Sequence, residues 1–471
     1  MSDTFLASLL VQAVTVMVLR LRLGHRWLRR PMTWLVLSSV VNQAVGPLLL
    51  AIPSIGLHDT FAIGIERKYI DSANLIMSAA MLVFTVTYLA THPERTVTPE
   101  RSGYIAISAK VLDWRPFAVA CVPLTLVTAS GQGYDGATGS GQGTALSTNL
   151  TTSFFVVVVV LTAAAFLLRH GVRWFFPVII VQSLVLTVAG ERTPVLTDTI
   201  ALVLLLLFAG IRVPARQLTA ATVLAVLAVL AVSGVRVTHG RDLFYSNSGI
   251  AARVTALAGS LPAAGGSQGI GDTPGLVNQL AVRIAGVDFG GAILQSISEG
   301  HPRLSPAYVP ESLLEVVPSF LWPTKLDHGL LLNPAQQQID DFGLQQINYI
   351  TGMPGLYLGF LTPAWLMVVF GFLGIVFGWF ERWLLRECTP VRIVLFAGAM
   401  SAVLLYEAGL PAMLVQMRAA AALALAVKAA AVVSHRIRAT GGSRSRASAA
   451  DMSFPLAARC GIAVRMADDD A

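Results

Sequence analysis

Residues able to do chemistry are scarce in this sequence, since only 13% of its 471 residues are charged. The run Gly190-Glu191-Arg192-Thr193-Pro194 separates two apolar stretches, so Glu191 and Arg192 fall in a tight turn at a membrane surface. A guanidinium in such a turn suits a phosphate group, because its planar fork bonds two oxygens at once and stays charged at any physiological pH. An ion pair among Glu191, Arg192 and Asp198 that only pins the turn is the alternative reading of the same residues. Arg236 and Arg241 follow the next apolar stretch beside His239 and Asp242. With Arg283 and Arg418 they form a basic group at the level where a lipid-linked phosphate would lie. Arg418 falls about two helical turns inside the last apolar stretch. A pair with Glu407 is the simplest account of it, and ionisable residues at such depth face a bundle interior.

A general base for a hydroxyl nucleophile contributes about 10²–10⁴-fold to a rate, and His is its commonest source. Of His58, His239, His301 and His328, His301 is the best placed, with Glu299, Pro302 and Arg303 around it. Glu299 or His301 is therefore the candidate base, although a single His in a polar loop is usually an ordinary surface residue. Acidic pairs that could hold a metal on a diphosphate are missing from the polar loops apart from Asp340-Asp341. No CxxC or HExxH occurs, and Cys121, Cys388 and Cys460 have no metal-ligand spacing. The expectation is chemistry without a metal or other cofactor, and no structural disulfide.

The elements that must position these groups follow from composition. Hydrophobic residues make up 55% of the chain and the mean hydropathy is +0.68, whereas soluble domains carry about 25% charged residues. Apolar runs of membrane-crossing length recur at 3–20, 32–55, 70–90, 115–130, 149–168, 174–190, 194–211, 218–235, 355–380, 392–409 and 411–433. The fold class expected is an all-α polytopic membrane protein of about 11 transmembrane helices with one large external loop. The first run is followed by Arg20, Arg22, Arg26, Arg29 and Arg30 and preceded by no basic residue, which makes it a span and not a cleaved signal. Alternating the spans from an external N-terminus puts 22 of the 33 basic residues on the cytoplasmic side, with the C-terminus inside. The net charge of +7 is thus mostly topology, and nucleic acid is not an expected partner.

Four regions result: a bundle of eight spans over 1–235, an external loop over 236–354, three spans over 355–433, and a basic tail over 434–471 that reads as disordered near anionic lipid. In the loop, 259–275 is a Gly/Pro-rich linker whose glycines follow no strand, so no nucleotide-binding turn is read there. Residues 276–298 place Leu280, Ile284, Val287, Leu294 and Ile297 at helical spacing, with Arg283 on the polar side, as in a helix lying on a membrane surface. Residues 311–323 pair Glu311 with Glu315 and break at Pro318; Phe320 and Trp322 suit the headgroup level, and Lys325 follows. Gln336, Gln337, Gln338, Gln345 and Gln346 with Tyr349 could bond and stack on a sugar, or could simply be a solvated loop.

This combination resembles the Wzy-type O-antigen and exopolysaccharide polymerases and the related O-antigen ligases. The resembling residues are Gly190-Glu191-Arg192-Thr193, Arg283, Tyr308 and the stretch Val317-Pro318-Ser319-Phe320-Leu321-Trp322-Pro323-Thr324-Lys325, followed by a glycine-containing return to the membrane. Pro318, Trp322, Pro323 and Lys325 match the family pattern. Ser319 stands where Arg is common, and Thr351-Gly352-Met353-Pro354-Gly355 stands where an Asn-Phe-Gly-like turn is common. The resemblance spans about 186–380 and the overall topology.

It implies a GT-C-like glycosyltransferase in the bacterial cytoplasmic (inner) membrane, joining oligosaccharide repeat units carried on undecaprenyl diphosphate at the outer face. Attack by a hydroxyl at the anomeric carbon would expel the lipid diphosphate with inversion. Arg192 and Arg283, with Glu299 or His301 as base, would be catalytic, while Glu191, Arg236, Arg241, Trp322, Lys325 and Arg418 would bind substrate. Implied partners are the lipid-linked oligosaccharide, membrane lipid, and the chain-length regulator and flippase of the same pathway. A flippase or exporter of the lipid-linked glycan, a ligase-type transfer to another acceptor, and a non-catalytic scaffold are the competing readings.

Overall fold

The computed structural model describes residues 2–50, 65–91, 145–188, 192–208, 211–238, 287–317, 334–344, 352–386, 389–404 and 409–441, with isolated positions at 115–123, 252–256 and Trp322. The described residues are mostly helical and contain no β-strand. One unit comprises residues 1–424 and a second 425–471.

Helix starts and stops are encoded locally. Helix α1 (Asp3–Leu23) is capped by Ser2, whose Oγ accepts the Phe5 N–H at 3.1 Å, with Asp3 in the first turn and Arg20 and Arg22 in the last. Gly24 ends it at φ +66°, a conformation that favours glycine. Helix α2 (Pro31–Val40) opens on proline at its first position, passes through a π-turn at Val41–Val45 and resumes over Gly46–Leu50. Then come α3 (Arg67–Ala90), α4 (Ala145–His170), α5 (Phe175–Val188), α6 (Arg192–Phe208) and α7 (Ala215–Thr238). Shorter helices α8 (Val287–Ser298), α9 (Tyr308–Leu313), α10 (Pro334–Asp341) and α11 (Gly352–Gly355) precede α12 (Pro363–Arg386), α13 (Pro390–Val403) and α14 (Gly409–Gly441).

Among the described residues, four helical segments are long and apolar enough to cross a membrane: Asp3–Leu23, Arg67–Ala90, Pro363–Arg386 and Gly409–Ala429. Shorter apolar helices lie at Phe154–His170, Val172–Thr187, Thr197–Leu207 and Pro390–Val403. Helix α12 exposes Trp365, Val368, Phe372, Ile375, Trp379 and Trp383 along one side. The outermost two indoles stand about 27 Å apart along the axis, close to a hydrocarbon thickness, as aromatic anchors at two interfaces would. The protein is an all-α membrane protein.

Among the described residues, two apolar clusters run through unit 1. The larger joins α1, α2, α3 and α12 through Leu19, Leu35, Met77, Phe84, Tyr88 and Phe370, and takes in Phe289 and Ile293 of α8 with Tyr357 and Leu358. The smaller joins α4, α5, α6 and α7 through Phe155, Val159, Leu186, Val195 and Ala225. Glycines set the closest approaches. A Cβ on Gly378 of α12 would sit 3.0 Å from the Tyr88 carbonyl oxygen of α3, and Gly374 one turn away faces Phe84 and Thr87. Small residues four apart allow this backbone contact between apolar helices.

The structure adjusts two of the expected helix boundaries and gives one expected helix a packing partner. The helix expected from 355 begins at Pro363, because residues 352–361 fold into a buried turn whose main-chain groups are bonded by side chains of other segments. The described part of the expected surface helix, α8, packs on α3: a Cβ on Gly291 would meet the Ile70 Cα at 2.9 Å. Helix α14 continues to Gly441, past the boundary expected at 433.

Candidate functional site

Among the described residues, the segment between α7 and α12 is fixed at three places, each built from polar side chains and two of them against membrane helices. At the first, the C-terminal end of α8 closes over the start of α3. Gln295 Oε1 accepts the Glu66 N–H at 2.8 Å, and the Gln295 amide donates to Glu299 at 2.9 Å. Ser298 Oγ donates to the Tyr69 hydroxyl at 2.6 Å. Lys68 pairs with Glu66 at 2.6 Å and stands over the Tyr69 ring at 4.7 Å. Gly300, at φ +105°, turns the chain away, leaving Glu299 and His301 exposed and close in sequence.

The second place is the buried turn 352–361. Arg303 Nη1 donates to the carbonyls of Leu358 at 2.6 Å and Leu361 at 2.8 Å. Partial burial lowers the Arg303 pKa from the ordinary guanidinium value. Gln338, fully buried, donates to the Leu356 carbonyl at 2.8 Å and accepts the Gly359 N–H at 2.9 Å. Leu304 N–H bonds the Gly359 carbonyl at 3.0 Å, and the rings of Tyr308 and Phe360 approach to 5.6 Å. A Cβ at Gly359 would lie 2.8 Å from the Phe342 ring, so only glycine fits under α10.

The third is Arg418. From within α14 its Nη1 donates to the Val316 carbonyl at 2.5 Å, tying a membrane helix to the residue just before Val317-Pro318. Arg418 is half-buried, and so is Trp322. Glu407, the partner expected for Arg418, lies outside the described residues.

At the other end of α3 lies a buried ionic cluster. Glu381 of α12 is fully buried and accepts from Arg30 Nη1 at 3.3 Å, from the Tyr88 hydroxyl at 2.7 Å and from the Met32 N–H at 3.1 Å. Burial opposes the charge on Arg30, but the neighbouring Glu381 and Tyr88 outweigh it and hold its pKa above the ordinary value.

The structure thus describes the side chains of four of the expected site residues: Glu299, His301, Trp322 and Arg418. It brings Glu299 to Gln295 and Arg418 to Val316. Arg192 opens α6 and Arg236 lies near the end of α7, with side chains outside the description, and Glu191, Arg241, Arg283 and Lys325 lie outside the described residues altogether. Sequence reasoning missed the structural roles of Arg303, Gln338, Arg30 and Glu381. Gln338 is a structural bridge here and not a free sugar-binding amide, while Gln337 bonds Asp341 on its own helix.

No protein-family model matches the chain, and neither a curated protein nor a solved structure does.

Proposed function

We propose that the chain polymerises oligosaccharide repeat units carried on a lipid diphosphate, working at the outer face of a bacterial inner membrane with about eleven spans in a GT-C-like arrangement. The observation that carries this reading is the Arg418–Val316 bond. A cation from a membrane helix bonds the residue just before Val317, where the stretch Val317–Lys325 that resembles a polymerase motif begins. In the proposed reaction an acceptor hydroxyl attacks the anomeric carbon while the lipid diphosphate leaves. Fixed cations at a water-poor surface stabilise the charge that develops on the leaving group. Arg192, Arg236, Arg241 and Arg283 are assigned that role, and Glu299 or His301 takes the acceptor proton. Lys325 and Trp322 contact diphosphate or sugar.

The test is reconstitution in liposomes with purified lipid-linked repeat units, reading chain length on a gel. Arg192→Ala and Arg283→Ala are each expected to abolish long products. Unchanged length and yield in both variants overturn the assignment. A carrier of the same glycan is the second reading, favoured by the polar residues buried in α1, α2 and α3, among them Gln12, Gln43 and Asn74. A carrier would change the sidedness of the lipid substrate and make no polymer.

A further inference from the structure

Helix α3 carries Asp71, Asn74 and Ser78 on one face, at positions three and four apart, all at most 4% exposed. Helix α1 turns Ser8 and Gln12 toward them, and the π-turn of α2 adds Gln43. Polar groups buried in an apolar bundle cost several kcal/mol unless bonded, so where each donor and acceptor goes is informative.

The amide donors of Asn74 and Gln12 are placed. Asn74 Nδ2 donates to Ser8 Oγ at 3.0 Å and to the Gln43 main-chain oxygen at 2.9 Å. Gln12 Nε2 donates to Ser78 Oγ at 3.0 Å and to Gln43 Oε1. Ser39 and Ser78 also donate to Gln43 Oε1, at 3.2 and 3.3 Å. What remains of these two side chains is their acceptors. Asn74 Oδ1 and Gln12 Oε1 are buried and receive no hydrogen bond. Reversing the Asn74 amide would set its oxygen against the Gln43 carbonyl, so its orientation is fixed by chemistry. One turn away toward the end of the helix, Asp71 accepts from Ser2 Oγ and lies 3.9 Å from Arg67, an exposed side chain.

A seam whose remaining valence is amide oxygen and one carboxylate repels anions and attracts cations and the hydrogens of water. A single carboxylate balances one positive charge and would leave a divalent ion uncompensated in a low-dielectric site. We propose that α1, α3 and the π-turn of α2 form a crevice for a monovalent cation and its water, opening where Ser2 meets Asp71 and ending at Gln12, Gln43 and Ser78, about 10 Å deeper along α3. This inference does not depend on the polymerase reading.

The test uses cysteines placed singly at Ser2, Ser8 and Asn74 in the full chain, with Cys121, Cys388 and Cys460 replaced by serine. Membrane vesicles are treated from each side with a cationic and an anionic membrane-impermeant methanethiosulfonate. Ser8→Cys and Asn74→Cys are expected to react from the same side as Ser2→Cys, about tenfold faster with the cationic reagent. Asp71→Asn is expected to remove that preference. Leu10→Cys, on the exposed apolar side of α1, stays unreactive. The chain with its own cysteines gives a second readout: its Tm in detergent is expected to be higher in sodium chloride than in choline chloride of equal ionic strength, and Asp71→Asn to abolish the difference. Labelling confined to position 2, or equal melting in both salts, overturns the proposal.

Discussion

Tyr88 donates a 2.7 Å hydrogen bond to Glu381 across the contact between α3 and α12, on the carboxylate oxygen that also takes Arg30. Two other chain segments thus converge on that oxygen of α12, and all three residues are buried. Removing one member of a buried ion pair costs about 3–5 kcal/mol, because the other charge is left without compensation. Glu381→Gln is therefore expected to lower the thermal stability of the detergent-solubilised protein strongly. Arg30→Met with Glu381→Leu should recover much of the loss, since both charges are then gone. Tyr88→Phe should cost about 1 kcal/mol. Fluorescence-detected gel filtration after a heating series reads all three, and a double variant as unstable as Glu381→Gln would show the pair to be more than compensated charge.

Docking of α8 rests on absent side chains. A Cβ at Gly291 would approach Ile70 main-chain atoms at 2.9–3.0 Å, and backbone cannot move aside as a flexible side chain can. Gly291→Leu is expected to lift α8 from α3 while leaving α1, α3 and α12 assembled, at an overpacking cost of about 1–3 kcal/mol. Limited proteolysis should then cut near residues 287–300 much faster than in the unaltered protein, with little change in Tm.

The turn 352–361 is held by two side chains from different segments, Arg303 and Gln338. Each substitution to an apolar residue leaves buried main-chain groups without partners, at about 1–3 kcal/mol. Arg303→Met and Gln338→Leu should each destabilise the protein by that order. Because both act on one turn, the double variant should lose less than the two losses added. Arg303→Lys should retain part of the stability, as an ammonium still reaches a carbonyl. Thermal melts of the four proteins settle it.

What was legible in the sequence is what repeats locally. Apolar runs of membrane length place α1, α3, α12 and α14, and Ser2, Pro31 and Gly24 mark ends that the helices respect. The smaller spacing of Gly374 and Gly378 was also there to read as a close helix contact. The buried pair was not, because Arg30 and Glu381 are 351 positions apart. Arg30 reads as one of five arginines that follow the first apolar run and counts only toward orientation, while Glu381 falls just past the run 355–380. Gln338 misled for the opposite reason: a run of three glutamines reads as solvated or sugar-binding, and only the fold shows one of them turned inward against Leu356 and Gly359. The start of α12 was set too early because an apolar segment need not be helical when side chains elsewhere satisfy its backbone.

Arg418 offers the sharpest separation of stability from activity. It reaches the Val316 carbonyl from within α14, and no carboxylate is needed to explain that bond. A hydrogen bond from a charged group is worth about 1.5–3 kcal/mol, so its loss at a site that positions substrate corresponds to roughly tenfold to a hundredfold in rate. Under the polymerase reading, Arg418→Ala should shorten and deplete polymer in the liposome assay by that order. Arg418→Lys, which keeps one charged donor, should fall between. Glu299→Gln measured alongside should leave Tm unchanged, because Glu299 is exposed and its side chain accepts from Gln295 one turn back. If Arg418→Ala makes polymer of unaltered length and yield while its Tm drops, Arg418 merely fastens the segment 308–317 to α14, and the link between that helix and the reaction is severed.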